Sequence, residues 1–386
     1  EIPGNGQMVV EKGIRMYNLQ ASLIYSTAGV YSGNGIDART ALSLIRDASE
    51  LLPVLLEKGH STIGGRLSGA FRNIQRDRIA DQIMETMKQA GYDIREEDPF
   101  ESKLPIDLSP RERSPFANRI KLMWQQMREI VIKDFPPASG IPKDHDAYLK
   151  DVDAIYVTDA YHSLSIERYK VTPELIERVS SGAWNAKENE EDKKQKDAMA
   201  ARGYYQSFQI VKETIVKILG GANPGAQVDK DHQRWYRELF DPSVATGILK
   251  AADLAGYRSH QVFISNSKHV PLSVDAMRDA MPILFELLEN EPEASVRAVL
   301  GHFIFVFIHP YMDGNGRMGR FLMNVMLASG GYPWTVIPVE KRQEYMKTLE
   351  QASTDQDISA FSKFVAYLVN EGLKGKPIAV LPEQKP

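Results

Sequence analysis

The 386-residue chain contains no cysteine. Disulfides, thiolate metal sites and a cysteine nucleophile are therefore excluded, and a reducing cytosol is the compartment this composition fits. An excess of one charge is also missing: 47 basic against 51 acidic side chains leave a formal net charge of −4. That balance gives no support for bulk binding to nucleic acid or to an anionic membrane surface. Long apolar runs are lacking too. The most apolar stretch, "AVLGHFIFVFI" from Ala298 to Ile308, falls far short of the roughly 20 residues a spanning helix needs, and it reads as a buried core helix. The opening "EIPGNGQMVVEKG" has no apolar core behind a basic start, so no secretory leader is read there. No internal repeat and no long low-complexity tract is found.

What is present fits a soluble globular protein, 43% apolar and 25% charged. The length predicts two or three units. Residues 1–40 carry short β-branched and aromatic pieces, "MVV" and "ASLIY", between "GNG", "AG" and "SGNG", which predicts small strands and turns. From Ala38 the apolar spacing becomes helical in "ARTALSLIRDASELLPVLLEKG" and again in "GRLSGAFRNIQRDRIADQIMETMKQAGY". The second segment carries Arg66, Arg72, Arg76 and Arg78, read as a solvated helix face in preference to a basic docking patch. "REEDPFESKLPIDLSPRERSPF" reads as a linker, followed by a helix at about Arg119 to Lys133. Beyond "FPPASGIPKDHD" the chain is nearly all helical in period. It is interrupted at "NAKENEEDKKQKD", "GGANPGAQ", "YRSHQVFISNSKHVPLS" and "ASGGYPW".

One stretch concentrates chemistry: "FIHPYMDGNGRMGR", Phe307 to Arg320. Pro310 must end the preceding helix near His309. "MDGNG" is turn chemistry, and "RMGRFLMNVMLAS" resumes a helical period. The predicted arrangement is helix, glycine loop, helix. Backbone N–H groups at the start of such a helix attract anions. Arg317 and Arg320, read as lying in its first turn, oppose the helix dipole unless something negative faces them. A polyphosphate suits that place best. Asp313 is a hard oxygen ligand suited to Mg²⁺, and His309 stands where an imidazole can take a proton from a hydroxyl.

Other phosphate loops fit less well. "GNGRMG" matches G-x-G-x-x-G formally but follows a helix and has no βαβ unit around it. There is no Walker loop, no H-R-D and no D-F-G. An EF-hand reading fails because Met318 and Asn324 stand where glycine and glutamate are required. A plain interhelical turn explains the glycines but not the cluster of His, Asp, Asn and two Arg beside them.

"HPYMDGNGRMGR" resembles the signature of the Fic family, H-P-F-x-[DE]-G-N-G-R-x-x-R, with Tyr311 at the usual phenylalanine. The resemblance implies a mainly α fold, a Fic-type helical bundle with a small β-hairpin flap, joined to a smaller N-terminal domain of mixed α/β character. It implies an enzyme that transfers AMP from ATP, with Mg²⁺, to a hydroxyl of a protein target. His309 would be the general base and Asp313 the Mg²⁺ ligand. Gly314, Asn315 and Gly316 would form the anion nest, with Asn315 fixing the α-phosphate. Arg317 and Arg320 would meet the β- and γ-phosphates. His302, two helical turns before His309, is read as packing.

The resemblance extends outward from the loop. "HQRWYRELF" (His232 to Phe240) is similar to the helix that opens many Fic domains. The β-prone "QVFIS" suggests that Gln261, Val262, Phe263 and Ile264 form the flap strand beside a docked target segment. "YHSLSIERYKVT" resembles the family's inhibitory helix, [ST]-x-x-x-E-[GN], through Ser163 and Glu167, with Arg168 where glycine or asparagine is usual. Glu167 would then pair with Arg320 and block the γ-phosphate position. The expected division is an accessory or regulatory domain over 1–100, linker and connecting helix over 101–146, catalytic domain over 147–375 and tail over 376–386. Expected partners are ATP and a protein target, with self-modification and a homodimer open; neither membrane nor nucleic acid is expected, and the location expected is the cytoplasm. Within the same fold, another nucleotide or phosphate transfer, removal of AMP, or a nucleotide-sensing regulatory module remain alternatives.

Overall fold

The computed structural model describes residues 6–11, 13–100, 115–182 and 196–382. The chain divides into two compact units: Glu1–Arg113 with Lys250–Ser259, and Ser114–Leu249 with His260–Pro386.

The first unit opens on an antiparallel hairpin, β1 Met8–Glu11 and β2 Ile14–Tyr17, with Met8 opposite Tyr17. Six helices follow: α1 Leu19–Tyr25, α2 Ala28–Gly33, α3 Gly35–Ser43, α4 Leu52–Lys58, α5 Ser61–Asn73 and α6 Asp77–Gln89. "MVV" is a strand as expected, but "ASLIY" is helical. The Asn18 side chain caps α1 by accepting from Ala21 N–H at 2.9 Å, and Ala21, Leu23 and Ile24 share its buried face. In so short a run, burial on a helix face overrides β propensity. The two predicted helical segments are each broken, one after Ser43 and one at Gln75, whose φ is +60°.

The arginines of the second segment are engaged within the unit. Arg72 pairs with Asp81 and Glu96, each at 2.7 Å, while Arg66 and Arg76 donate to the carbonyls of Ser26 and Ser43. The start of the expected linker is laid along α5. Glu97 N–H donates to Gly65 C=O at 3.1 Å, and a Cβ on Gly65 or Gly69 would collide with the backbone of Arg95 or Glu97. Residues 101–114 of that linker, and most of the charged interruption at 185–197, lie outside the described residues.

The second unit is helical among its described residues: α7 Pro115–Asp134, α8 His145–Ile166, α9 Pro173–Ser180, α10 Lys196–Leu219, α11 Pro224–Ala245, α12 Val274–Asn290, α13 Ala294–Ile308, α14 Asn315–Ala328, α15 Arg342–Thr354 and α16 Ser359–Leu373. The expected connecting helix, α7, is part of this unit's packing. Its Arg128 holds the buried Glu291 carboxylate with two bonds of 2.9 and 3.0 Å, and Trp124 Nε1–H adds a third. The segment Lys250–Ser259, expected inside the catalytic stretch, belongs to the first unit. α13 is the central element: every side chain but Val306 is buried, as its all-round apolar sequence predicts. Each fully buried Phe, Ile or Leu there contributes roughly 1.5–3 kcal/mol. No helix among the described residues is long and apolar enough to cross a membrane.

The flap region differs from expectation. Residues 260–273 form no strand, and the one antiparallel pair among the described residues is β1–β2. The loop is fixed by other bonds. Gln261 Nε2 donates to Pro271 C=O at 2.9 Å, and Glu350 accepts from Ser267 Oγ and Lys268 N at 2.5 and 2.6 Å. His269 Nε2–H donates to Phe307 C=O at 2.8 Å. A ladder needs a neighbouring strand, and among the described residues none pairs with Gln261, Val262, Phe263 or Ile264; Phe263 stands 75% exposed.

Candidate functional site

α13 ends at His309, whose φ of +57° is left-handed and whose N–H donates to Phe305 C=O. Its Nδ1 lies 3.2 Å from Val306 C=O. A carbonyl only accepts, so Nδ1 carries the proton and Nε2 is the basic nitrogen of the neutral ring.

The loop that follows is clamped by its own side chains. Asn315 Oδ1 accepts from Tyr311 N–H at 2.9 Å, and its Nδ2 donates to Tyr311 C=O at 2.8 Å. The amide therefore pins the loop, and the Asn315 backbone N–H stands at the helix start where an anion would bind. Tyr311 stacks on Tyr236 of α11 at 3.7 Å and 7°, so the tyrosine serves as the aromatic anchor expected of phenylalanine. Gly314 has φ +80°, and a Cβ there would come within 2.9 Å of Phe240. Asp313 stays 68% exposed, with Oδ1 accepting from Gly314 N–H and Oδ2 3.4 Å from Arg317 Nη2.

α14 starts at Asn315, so the N–H groups of Asn315, Gly316 and Arg317 have no acceptor within the helix. Arg317 lies in the first turn as expected, whereas Arg320 lies in the second, because the helix begins earlier than its period suggested. Both are buried. Arg317 packs against two rings, its guanidinium carbon 5.2 Å from the Tyr169 centroid and 5.0 Å from that of Phe240, and its buried Nε has no hydrogen-bond partner. Arg320 donates from Nε to Ser163 Oγ at 2.8 Å, and from Nη2 to Ser163 C=O at 3.0 Å and Glu167 Oε1 at 2.9 Å. Burial opposes the charge of Arg320, but Glu167 foremost outweighs it and holds the pKa above its ordinary value.

Glu167 reaches this place from the end of α8. Arg168 N–H donates to Ser165 C=O at 2.9 Å and Tyr169 N–H to Leu164 C=O at 3.1 Å, the paired bonds of a helix terminus that turns through a left-handed residue. That residue is Arg168, at φ +68°. Arg342 Nε takes the Ile166 carbonyl at 2.7 Å. The Glu167 carboxylate lies directly over Gly316, where a Cβ would collide with it.

Beneath Arg320 lies a buried polar group the sequence did not single out. Tyr204 O–H donates to Asp159 Oδ2 at 2.6 Å, and burial pushes the Asp159 carboxyl up to about 6. His302 is a packing residue, as read: it is buried against Tyr345 O–H at 2.8 Å, and burial brings its pKa down to about 3. Among the described residues no group of three His, Cys, Asp or Glu could hold a metal. Asp313 is thus a lone carboxylate, which suits Mg²⁺ only in company with phosphate and water oxygens.

Residues 227–327 match the profile of the Fic/DOC family. That stretch is similar to a Fic domain. A protein adenylyltransferase Fic of Nematostella vectensis is 26% identical over 78% of this chain and 70% of its own length. One from Drosophila willistoni is 36% identical over 28% of this chain and 22% of its own. A solved structure of Fic-1 residues 134–508 from C. elegans covers 93% of this chain and 97% of that one, at TM-score 0.48 and 14% identity. A Fic-domain signalling protein of Bacteroides thetaiotaomicron covers 68% of this chain at TM-score 0.44.

Within the matched stretch, α13, the loop and α14 gather His309, Asp313, Gly314, Asn315, Gly316, Arg317 and Arg320. α8, which lies outside the matched residues, adds Ser163 and Glu167. Gln261–Ile264 stay in an irregular loop. Sequence reading missed Tyr169, Phe240, Tyr204 and Asp159. The first two sit inside quoted motifs, but nothing in linear spacing says that their rings face one guanidinium.

Proposed function

We propose that this chain is an ATP- and Mg²⁺-dependent protein adenylyltransferase restrained by Glu167. The observation that carries the reading is a carboxylate standing over the N-terminus of α14 and bonded to Arg320, an anion where the loop is built for one. The relatives named protein adenylyltransferase support the same activity. The residues fit a triphosphate: N–H groups with no acceptor in their own helix, two buried arginines, and an orphaned Arg317 Nε.

In this reading His309 Nε2 takes the proton of a target hydroxyl as its oxygen attacks the α-phosphorus. The bond from the α-phosphorus to the bridging oxygen breaks, and pyrophosphate leaves. The N–H groups of Asn315 and Gly316 bind the α-phosphate, and Arg317 and Arg320 steady the departing charge. Asp313 would hold Mg²⁺, which supplies charge neutralisation between phosphates. Because the loop is preformed by Asn315 and Tyr311, the phosphates meet donors already in place.

The test is labelling of proteins by ATP carrying its label on the α-phosphate. Glu167→Gly is expected to raise incorporation strongly and His309→Ala to abolish it. Transfer from γ-labelled ATP without transfer from α-labelled ATP would sink the adenylyltransferase reading. No change in Glu167→Gly would remove the restraint and leave the transfer intact.

A further inference from the structure

The turn that closes α8 touches both phosphate-loop arginines. Its first residue, Glu167, bonds Arg320 at 2.9 Å. Its third, Tyr169, brings its ring centroid to 5.2 Å from the Arg317 guanidinium carbon, and Phe240 of α11 brings a second ring to 5.0 Å. Arg317 is 1% exposed, and its one ion pair among the described residues is the long 3.4 Å approach to Asp313. A buried guanidinium with one distant carboxylate and an orphaned Nε is under-held by hydrogen bonds, so contact with the two rings bears on where it sits.

We infer that Tyr169 is a positioning residue for Arg317, so the turn that blocks the nucleotide site also helps to build it. The inference rests on the reading of this loop as a triphosphate site. The backbone bond from Tyr169 N–H to Leu164 C=O ties the ring to the end of α8. Any release that swings the end of α8 away carries the Tyr169 ring off Arg317, whereas rotation of the Glu167 side chain alone leaves Arg317 braced. Relief of inhibition by side-chain rotation thus keeps full phosphate affinity, and relief by helix displacement does not.

The experiment compares Glu167→Gly with Glu167→Gly/Tyr169→Ala and Glu167→Gly/Tyr169→Phe, titrating ATP, ADP and AMP separately by calorimetry at fixed Mg²⁺. The alanine variant is expected to bind ATP and ADP roughly 3- to 30-fold more weakly, the range a cation–aromatic contact carries, with AMP unaffected because it lacks the β-phosphate. The phenylalanine variant is expected to match Glu167→Gly, since the ring face and not the hydroxyl does the holding. If Tyr169→Ala fails to fold, Tyr169→Leu keeps the bulk without the π face and is expected to show the same loss. Unchanged ATP affinity in the alanine or leucine variant overturns the inference. So does an equal loss for all three nucleotides, which a general disturbance of the fold would give. If Glu167→Gly alone binds none of the three, the nucleotide reading falls and this inference falls with it.

Discussion

Arg320 holds Glu167 at 2.9 Å from Nη2 while its Nε holds Ser163 at 2.8 Å, so the guanidinium is shared between a carboxylate and the hydroxyl one helical turn before it. The fork of arginine reaches both because α8 presents them on one face. An anion that claims Nη2 of Arg320 therefore competes with Glu167, while Nε stays on Ser163.

Ser163→Ala should weaken this latch without removing it. A hydrogen bond to a charged group contributes about 1.5–3 kcal/mol. Basal incorporation of α-label is expected to fall between wild type and Glu167→Gly. Incorporation equal to wild type would show that Ser163 adds nothing to the restraint.

Arg168→Gly should tighten the latch. A left-handed non-glycine residue costs roughly 1–2 kcal/mol, partly offset in glycine by chain entropy of about 0.5–1 kcal/mol. The expected result is a melting temperature raised by a few degrees and lower basal labelling, read by calorimetry and by the same assay. Higher labelling would show that the Arg168 side chain itself supports the inhibitory turn.

The C-terminal stretch should matter for inhibition as well. His162, next to Ser163, is buried with Nε2–H donated to Val380 C=O at 3.0 Å and Nδ1 accepting from Val339 N–H at 3.1 Å. Burial lowers its pKa, which keeps the ring neutral as both bonds require. Removal of residues 377–386, or His162→Ala, is expected to loosen α8 and raise basal labelling, with earlier hydrogen exchange over 160–167. Unaltered exchange there would refute the coupling.

Asp159→Asn should change the acid response. The carboxyl sits near 6 when folded against an ordinary 3.8, so between those values the folded chain holds more protons than the unfolded one. Stability from this group is present below about 4 and is lost as pH rises through 6, by up to about 3 kcal/mol. His302, down at about 3, works in the opposite sense but is common to both proteins and cancels in their difference. The stability of Asp159→Asn relative to wild type should rise from pH 4 to pH 7 in urea titrations. A constant difference would contradict the buried, raised carboxyl.

The sequence by itself determined the helix–loop–helix at 294–328, because an apolar run stopped by Pro310 and a glycine-rich turn admit few other shapes. It also specified the residue types for an anion site, and the pairing of Glu167 with Arg320 follows from family resemblance in the sequence. Tertiary structure decided what linear order does not encode. Asn315 turned its amide inward because Tyr311 offered both backbone groups. The 261–264 stretch stayed irregular because, among the described residues, no strand pairs with it, and Glu350 and Phe307 anchor its far end. "ASLIY" became helix because Asn18 capped it and one face was buried. Arg317 gained two aromatic faces from α11 and from the turn after α8, segments distant in sequence that only packing brings to one guanidinium.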